Sequence, residues 1–447
     1  MSEGTGGGHP GPECECAICK NEHSFVMPLE LVEACADDRL VVFAGAGIST
    51  ESRNVLQDTF YETIASKVAD ADKEKSFPEV MSSFVAQQGR RVLLQKIMER
   101  FDYIDAFPEL RRSATRFHRE LSTLFYVSDI VTTNWDPYFE QDMGALPLVT
   151  DQDFALWDIP GRKVFKIHGS IFNLGSIVAT NEDYTKCYRA LNRNVLGATL
   201  KHLLATKTVL FVGYSFGDSD FNRIYKFIAS QMADVLPRSY VVTLGNPEPA
   251  NLRGAHVIRT DATFFVRRLK EELLSRGCLL DDQRWNGVAA QLFDIERRHD
   301  ELYEKINLQR LPAAVLCGHY QDGLIHAFER MLKQRRTGEY SHIHRVERLF
   351  RAYEERRKEL VKAKRYHDVA YATGYQNGLL YLLADDAGRK ALPLYFVYGS
   401  TVELRSLTAF KREAKGAQQF HRQAYAHAER IAKKWNPAIV PHHRPEL

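Results

Sequence analysis

Seven cysteines in 447 residues, an odd number, are too few and too scattered for a disulfide framework. In a large chain whose start shows no secretion signal they fit reduced thiols. No stretch approaches the ~20 uninterrupted apolar residues of a membrane span. The start, Met1-Ser2-Glu3-Gly4-Thr5-Gly6, has no basic run leading into an apolar one. The expectation is a cytoplasmic protein that does not engage a membrane. Net charge is only +3, but it is unevenly spread. From Asp281 to Leu447 there are 29 Lys and Arg against 21 Asp and Glu, so this part carries +8 and the first 280 residues −5. The same part holds ten of the sixteen histidines. Such asymmetry is compatible with nucleic acid or an acidic partner, although the solvated faces of basic helices account for it more simply. A composition of 45% hydrophobic and 26% charged residues is ordinary for a globular chain of two or three domains.

Among what is present, the run Val41 to Thr50 is the most informative, because an apolar strand leads into Gly45-Ala46-Gly47 and then into Ser49 and Thr50. Glycines without Cβ let backbone turn tightly against a pyrophosphate, and N–H groups at a following helix start offer donors to the anion. The third glycine of the ordinary dinucleotide fingerprint is missing, so this signal alone is weak. Three later segments add to it: Ile130 to Asp136, Val164 to Ser170 and Val209 to Asp218 are each apolar strands ending in polar residues. In an open parallel sheet, ligands bind beyond the carboxyl ends of the strands, so these endings converge on one site.

In these residues the chain resembles the sirtuin family, whose motifs run Gly-Ala-Gly-x-Ser, Thr-x-Asn-x-Asp, His-Gly and Gly-x-Ser. Here they stand as Gly45 to Ser49, Thr132 to Asp136, His168-Gly169 and Gly213 to Ser215, over about Leu29 to Ser275. Two departures stand out. Protein-deacylating sirtuins follow the first motif with a Ser-Gly-Ile-Pro-Asp-Phe-Arg type segment, where this chain reads Glu51 to Asp58. They also carry two Cys-x-x-Cys pairs for a zinc ribbon before the Gly-x-Ser motif. Between His168 and Gly213 there is one cysteine, Cys187, whereas a structural zinc needs four ligands. The resemblance is therefore to bacterial sirtuin-like proteins that destroy NAD in antiviral defence, with NAD as substrate and no metal expected.

The resemblance implies catalytic roles for Asn134, which holds a water or ribose hydroxyl, and His168, which accepts a proton near neutral pH. Gly45, Ala46, Gly47 and Ser49 would bind the diphosphate together with Gly213 and Ser215. Thr133 joins the cofactor site, Asp136 recognises the carboxamide beside Trp135, and Asn246 bonds the adenosine ribose. Singly, each has a plainer reading: a histidine after a strand is usually a core residue, Asn-x-Asp often caps the next helix, and Asn246-Pro247 makes a turn. Asp218 and Asp220 look like a metal pair but suit the first turn of a helix better.

The expected fold is α/β, a Rossmann-like, sirtuin-type parallel sheet with helices on both faces, followed by an all-helical module. Residues 1–28 are expected to form a flexible arm, in which Cys14, Cys16, Cys19 and His23 are a crowded candidate zinc set. Residues 29–275 form the NAD-binding domain, with helices over Val55 to Val68, Phe77 to Phe101 broken at Gln87-Gln88-Gly89, Thr115 to Phe125, and Asn181 toward Leu203. Residues 276–447 form the helical module, with helices over Ser341 to Lys364, Tyr366 to Leu383 and Leu404 to Trp435. The apolar run Leu392 to Tyr398 is either a buried segment or a docking patch.

Four functions compete: an NAD glycohydrolase releasing nicotinamide and ADP-ribose, a protein deacylase, a silent NAD or ADP-ribose sensor, and a scaffold built on the helical module. NAD destruction needs restraint, which homo-oligomerisation through that module would impose. The resemblance adds a separate partner protein, a HerA-type ring ATPase translocase or an Argonaute-type protein.

Overall fold

The computed structural model describes residues 18–68, 75–214, 225–226, 230, 232, 236–245, 255–281, 283–436 and 442–445. Ser215, Asn246, Asp218, Asp220, Cys14 and Cys16 lie outside them. The chain forms two compact units, Met1–Ser275 and Arg276–Leu447.

The first unit is built on seven strands: β1 (Leu40–Ala44), β2 (Asp129–Thr132), β3 (Leu146–Leu148), β4 (Lys163–Lys166), β5 (Thr208–Val212), β6 (Ser239–Thr243) and β7 (His256–Arg259). They lie in the order β3-β4-β2-β1-β5-β6-β7, and every pairing is parallel. All of β1 is buried, as a central strand covered on both faces must be. Val41, Phe43, Val209 and Phe211 share the face that packs on Leu196, Leu200, Leu203 and Leu204 of helix Val195–Thr206. The chain lays β2 on one side of β1 and later β5 on the other, so strand order reverses at β1. That reversal opens a crevice at the carboxyl edge.

Local chemistry explains where helices start and stop. Thr59 with Glu62, Ser76 with Glu79, and Thr180 with Asp183 each form a capping box. The expected break at Gly89 separates helices Phe77–Gln88 and Arg90–Ala106, with φ +86° at the glycine. Some helix extents and one strand differ from the sequence-based expectation. The helix expected over Val55 to Val68 is only Phe60–Ala65, because the capping box at Thr59 sets its start. The helix expected from Asn181 toward Leu203 is two, Asn181–Leu191 and Val195–Thr206, because Asn194 caps the second by accepting the Gly197 N–H. Edge strand β3 is a further element, three residues with a central proline that carry little strand signal in the sequence. The described part of the expected flexible arm is docked, with Phe25 stacked on Phe265 and Glu22 paired to Arg116 and Arg267.

The second unit is helical over its described residues. Helices Ala313–Gln334 and Tyr366–Leu383 cross at glycines. A Cβ on Gly374 would lie 1.9 Å from the Tyr320 carbonyl oxygen, and one on Gly323 2.1 Å from that of Tyr371. The run Leu392 to Tyr398 is a buried segment, with Leu394, Tyr395 and Val397 almost fully enclosed. The expected helix over Leu404 to Trp435 is divided into Leu407–Ala414, Ala417–Phe420 and Arg422–Lys434. Because backbone meets backbone at the glycine crossing, Gly374→Ala should cost about 1–3 kcal/mol by overpacking. Urea unfolding of the variant checks it; an unchanged midpoint would mean the helices separate freely.

Candidate active site

Register pairs Ala44 with both Thr132 and Val212, and Thr132 with Lys166, so four strands end at one level. A cavity of about 700 Å³ opens there, within the size range of cofactor pockets. Among the residues expected from sequence, Gly45, Ala46, Gly47, Thr133, Asn134, Asp136, His168 and Gly213 line it. Ser49 does not, being fully buried beneath it.

The Gly-Ala-Gly turn departs from its expected role. No α-helix follows it directly: Ala46–Ile48 is a single 3-10 turn, and the next α-helix begins at Phe60. The Gly45 N–H donates to the Val212 carbonyl at 2.9 Å and the Gly47 N–H to that of Gly213 at 3.0 Å. These two amides are therefore spent on β5 rather than presented to an anion. A Cβ on Gly45 would lie 2.4 Å from the Gly213 carbonyl oxygen, so glycine is required by strand packing whatever binds.

Asn134 is held on three sides. Its backbone N–H donates to Thr132 Oγ1 at 3.0 Å, and its Nδ2 donates to the Gly45 carbonyl and to Ser49 Oγ, each at 3.2 Å. With Nδ2 so placed, Oδ1 is the amide's remaining atom; it is buried and has no hydrogen-bond partner among the described residues. Ser49 in turn donates to Asp136 Oδ2 at 3.0 Å. Asp136 Oδ1 accepts the N–H of Tyr138, first residue of helix Tyr138–Met143, at 3.3 Å. Ser49 and Asp136 thus form a chain that fixes Asn134, with Lys166 donating to the Asp136 carbonyl from within β4 and pairing with Glu140 at 3.0 Å.

His168 lies on the cavity wall, 8% exposed, with its ring 4.9 Å from that of Tyr184. Its carbonyl accepts the Val178 N–H at 3.0 Å. Gly169 follows at φ +85°, where a Cβ would lie 2.1 Å from the Ser176 carbonyl oxygen. That turn accounts for the His-Gly pair.

Sequence reading missed the opposite wall. Arg100 pairs with Glu51 at 3.1 Å and donates to the Thr50 and Asp58 carbonyls at 2.9 and 3.1 Å. Burial raises the Glu51 carboxyl pKa, against the opposing pull of Arg100. Phe60 and Phe77 each lie 6.1 Å from the Trp135 ring, an aromatic flank to Asn134. Glu51 stands in the departing segment after Ser49, which was the one available signal. Where a zinc ribbon would fall, helices Asn181–Leu191 and Val195–Thr206 cover the sheet, and Cys187 Sγ donates to the Ile167 carbonyl at 3.3 Å.

His118 packs behind this chain, Nε2 3.9 Å from Asp136 Oδ1. Burial pushes its pKa down to about 4, with Asp136 opposing the shift. The folded state thus resists a proton that the unfolded chain takes up below about pH 6.5, so stability falls as pH drops from there toward 4, by up to about 3 kcal/mol. His118→Phe should flatten that part of the dependence in urea unfolding at pH 7 and pH 5. An equal loss in both proteins would contradict it.

A family model described as a SIR2-like domain matches residues 128–260. The chain is 31% identical to "NAD(+) hydrolase ThsA" of Cytobacillus dafuensis over 44% of this chain, and 30% identical to the protein of that name in Enterococcus faecium over 43%. The matches take in 40% of each relative's own length. "Defense-associated sirtuin 2" of Bacillus subtilis is 20% identical over 49% of this chain and 22% of its own. The parallel sheet and the motif order agree with the match to a SIR2-like domain over residues 128–260, in a chain that is similar to these relatives over less than half of its length.

Proposed function

We propose that this protein hydrolyses NAD at the nicotinamide–ribose bond, releasing nicotinamide and ADP-ribose, without an acylated protein substrate. The observation that carries the reading is Asn134 Oδ1, a buried acceptor without a partner among the described residues, on an amide locked in place in the cavity that His168 also lines. A buried unpaired acceptor costs roughly 1–3 kcal/mol, and such a cost persists where the group serves a ligand.

The chemistry asks little covalent work of the protein. The pyridinium leaves as neutral nicotinamide when the C1′–N bond breaks, and a water oxygen bonds to C1′ as one of its protons departs. What is needed is an acceptor that orients the water or a ribose hydroxyl, which Asn134 Oδ1 supplies, and a proton acceptor, which is His168. Locking Asn134 through Ser49 and Asp136 keeps that acceptor aimed without reorganisation during reaction. Thr133 and the Gly45–Gly47 turn shape the cavity for the dinucleotide. The helices in place of a zinc ribbon support a site without a peptide groove. The names of the relatives support a defence role in which depletion of NAD is the effect, and restraint through oligomerisation or a partner protein belongs to the same proposal.

Purified full-length protein mixed with NAD alone should release nicotinamide and ADP-ribose in equal amounts, followed by chromatography. Release that appears only after an acylated peptide is added would overturn the reading.

A further inference from the structure

The helical unit holds a cluster unrelated to the cavity. His299 on helix Gln283–Lys305, Asp322 on helix Ala313–Gln334 and His442 in the segment 442–445 bring three donor atoms together. His299 Nε2 lies 3.6 Å from Asp322 Oδ1 and 3.3 Å from His442 Nδ1, and the third side, His442 Nδ1 to Asp322 Oδ1, is 3.0 Å.

The triangle has the size that a metal ion requires: a point lies about 2.0–2.1 Å from every corner, the Zn–N and Zn–O bond length. Its longest edge, at 3.6 Å, is too long for a direct hydrogen bond.

Two neighbouring features prepare the donors. The other oxygen of Asp322, Oδ2, accepts the His443 N–H at 2.7 Å, which turns Oδ1 toward the histidines. His299 Nδ1 and the Gln321 Oε1 carbonyl oxygen are both buried, and the Gln321 side chain hydrogen-bonds the His299 ring. Metal on Nε2 forces the proton onto Nδ1, where such a carbonyl is the usual second partner.

We infer that His299, Asp322 and His442 bind a first-row divalent metal of the zinc class, which clasps the segment 442–445 to helices Gln283–Lys305 and Ala313–Gln334. Two imidazoles and a carboxylate suit Zn²⁺ and Co²⁺ over Mg²⁺ or Ca²⁺. His299 and Asp322 are buried while the His442 side chain is 60% exposed, so the fourth position faces solvent. His443 pairs with Asp368 at 3.0 Å beside His367, and that second group serves as the control.

The test titrates chelator-stripped, full-length protein with Co²⁺ and with Zn²⁺. Cobalt on nitrogen and oxygen gives visible d–d bands without the near-ultraviolet charge-transfer band of a thiolate, which separates this site from any metal on the N-terminal cysteines. Wild type should show one such equivalent per chain, and Zn²⁺ should displace it and raise the melting temperature. His442→Ala, at an exposed position that spares the fold, should weaken it roughly tenfold or more, whereas His443→Ala should retain it. No nitrogen–oxygen cobalt signal in the wild type, a signal that survives His442→Ala, or one lost only in His443→Ala would overturn the inference.

Discussion

The site depends on one close approach of backbone to backbone, between the end of β1 and the end of β5. Gly45 and Gly47 donate their amides to Val212 and Gly213, and the gap between the strands leaves no room for a Cβ at Gly45. Everything on the crevice floor is referred to that contact. The Gly45 carbonyl, turned the other way, accepts from Asn134 Nδ2 and so ties the end of β2 to the end of β1. Ser49, two residues beyond Gly47, closes the loop by bonding both Asn134 and Asp136. A turn expected to hold an anion is thus first of all the joint that positions an amide.

The parts legible in the sequence share a property: local chemistry decides them. Apolar runs ending in polar residues read as strands because a central parallel strand is buried on both faces, and β1, β2, β4 and β5 all follow that pattern. Motif order then placed Asn134 and His168 together although 34 positions separate them in the chain. Gly89 announced a helix break because only glycine takes φ +86° readily.

What stayed hidden depends on tertiary distance. Nothing in the spacing of Glu51 and Arg100 says that they pair on one wall of the cavity, and an Arg in an amphipathic helix reads as surface. Ser49 carries a hydroxyl in a binding motif, yet whether it faces a ligand or a carboxylate depends on where Asp136 falls, and Asp136 arrives from another strand. The histidine excess of the C-terminal part was visible as composition, but His299, Asp322 and His442 span three separate segments, so no ligand motif appears. The expectation of no metal rested on cysteine spacing, which is silent about imidazole and carboxylate donors.

In the proposed function, strand packing builds a cavity in which His168 acts on a reacting molecule rather than on the fold. Calorimetric NAD binding measured alongside turnover separates these roles in His168→Ala. Turnover should fall by at least about a hundredfold with affinity kept within about tenfold, because a proton acceptor works mainly in the transition state. Affinity and turnover falling together, with a lowered melting temperature, would make His168 a structural residue and contradict the proposal.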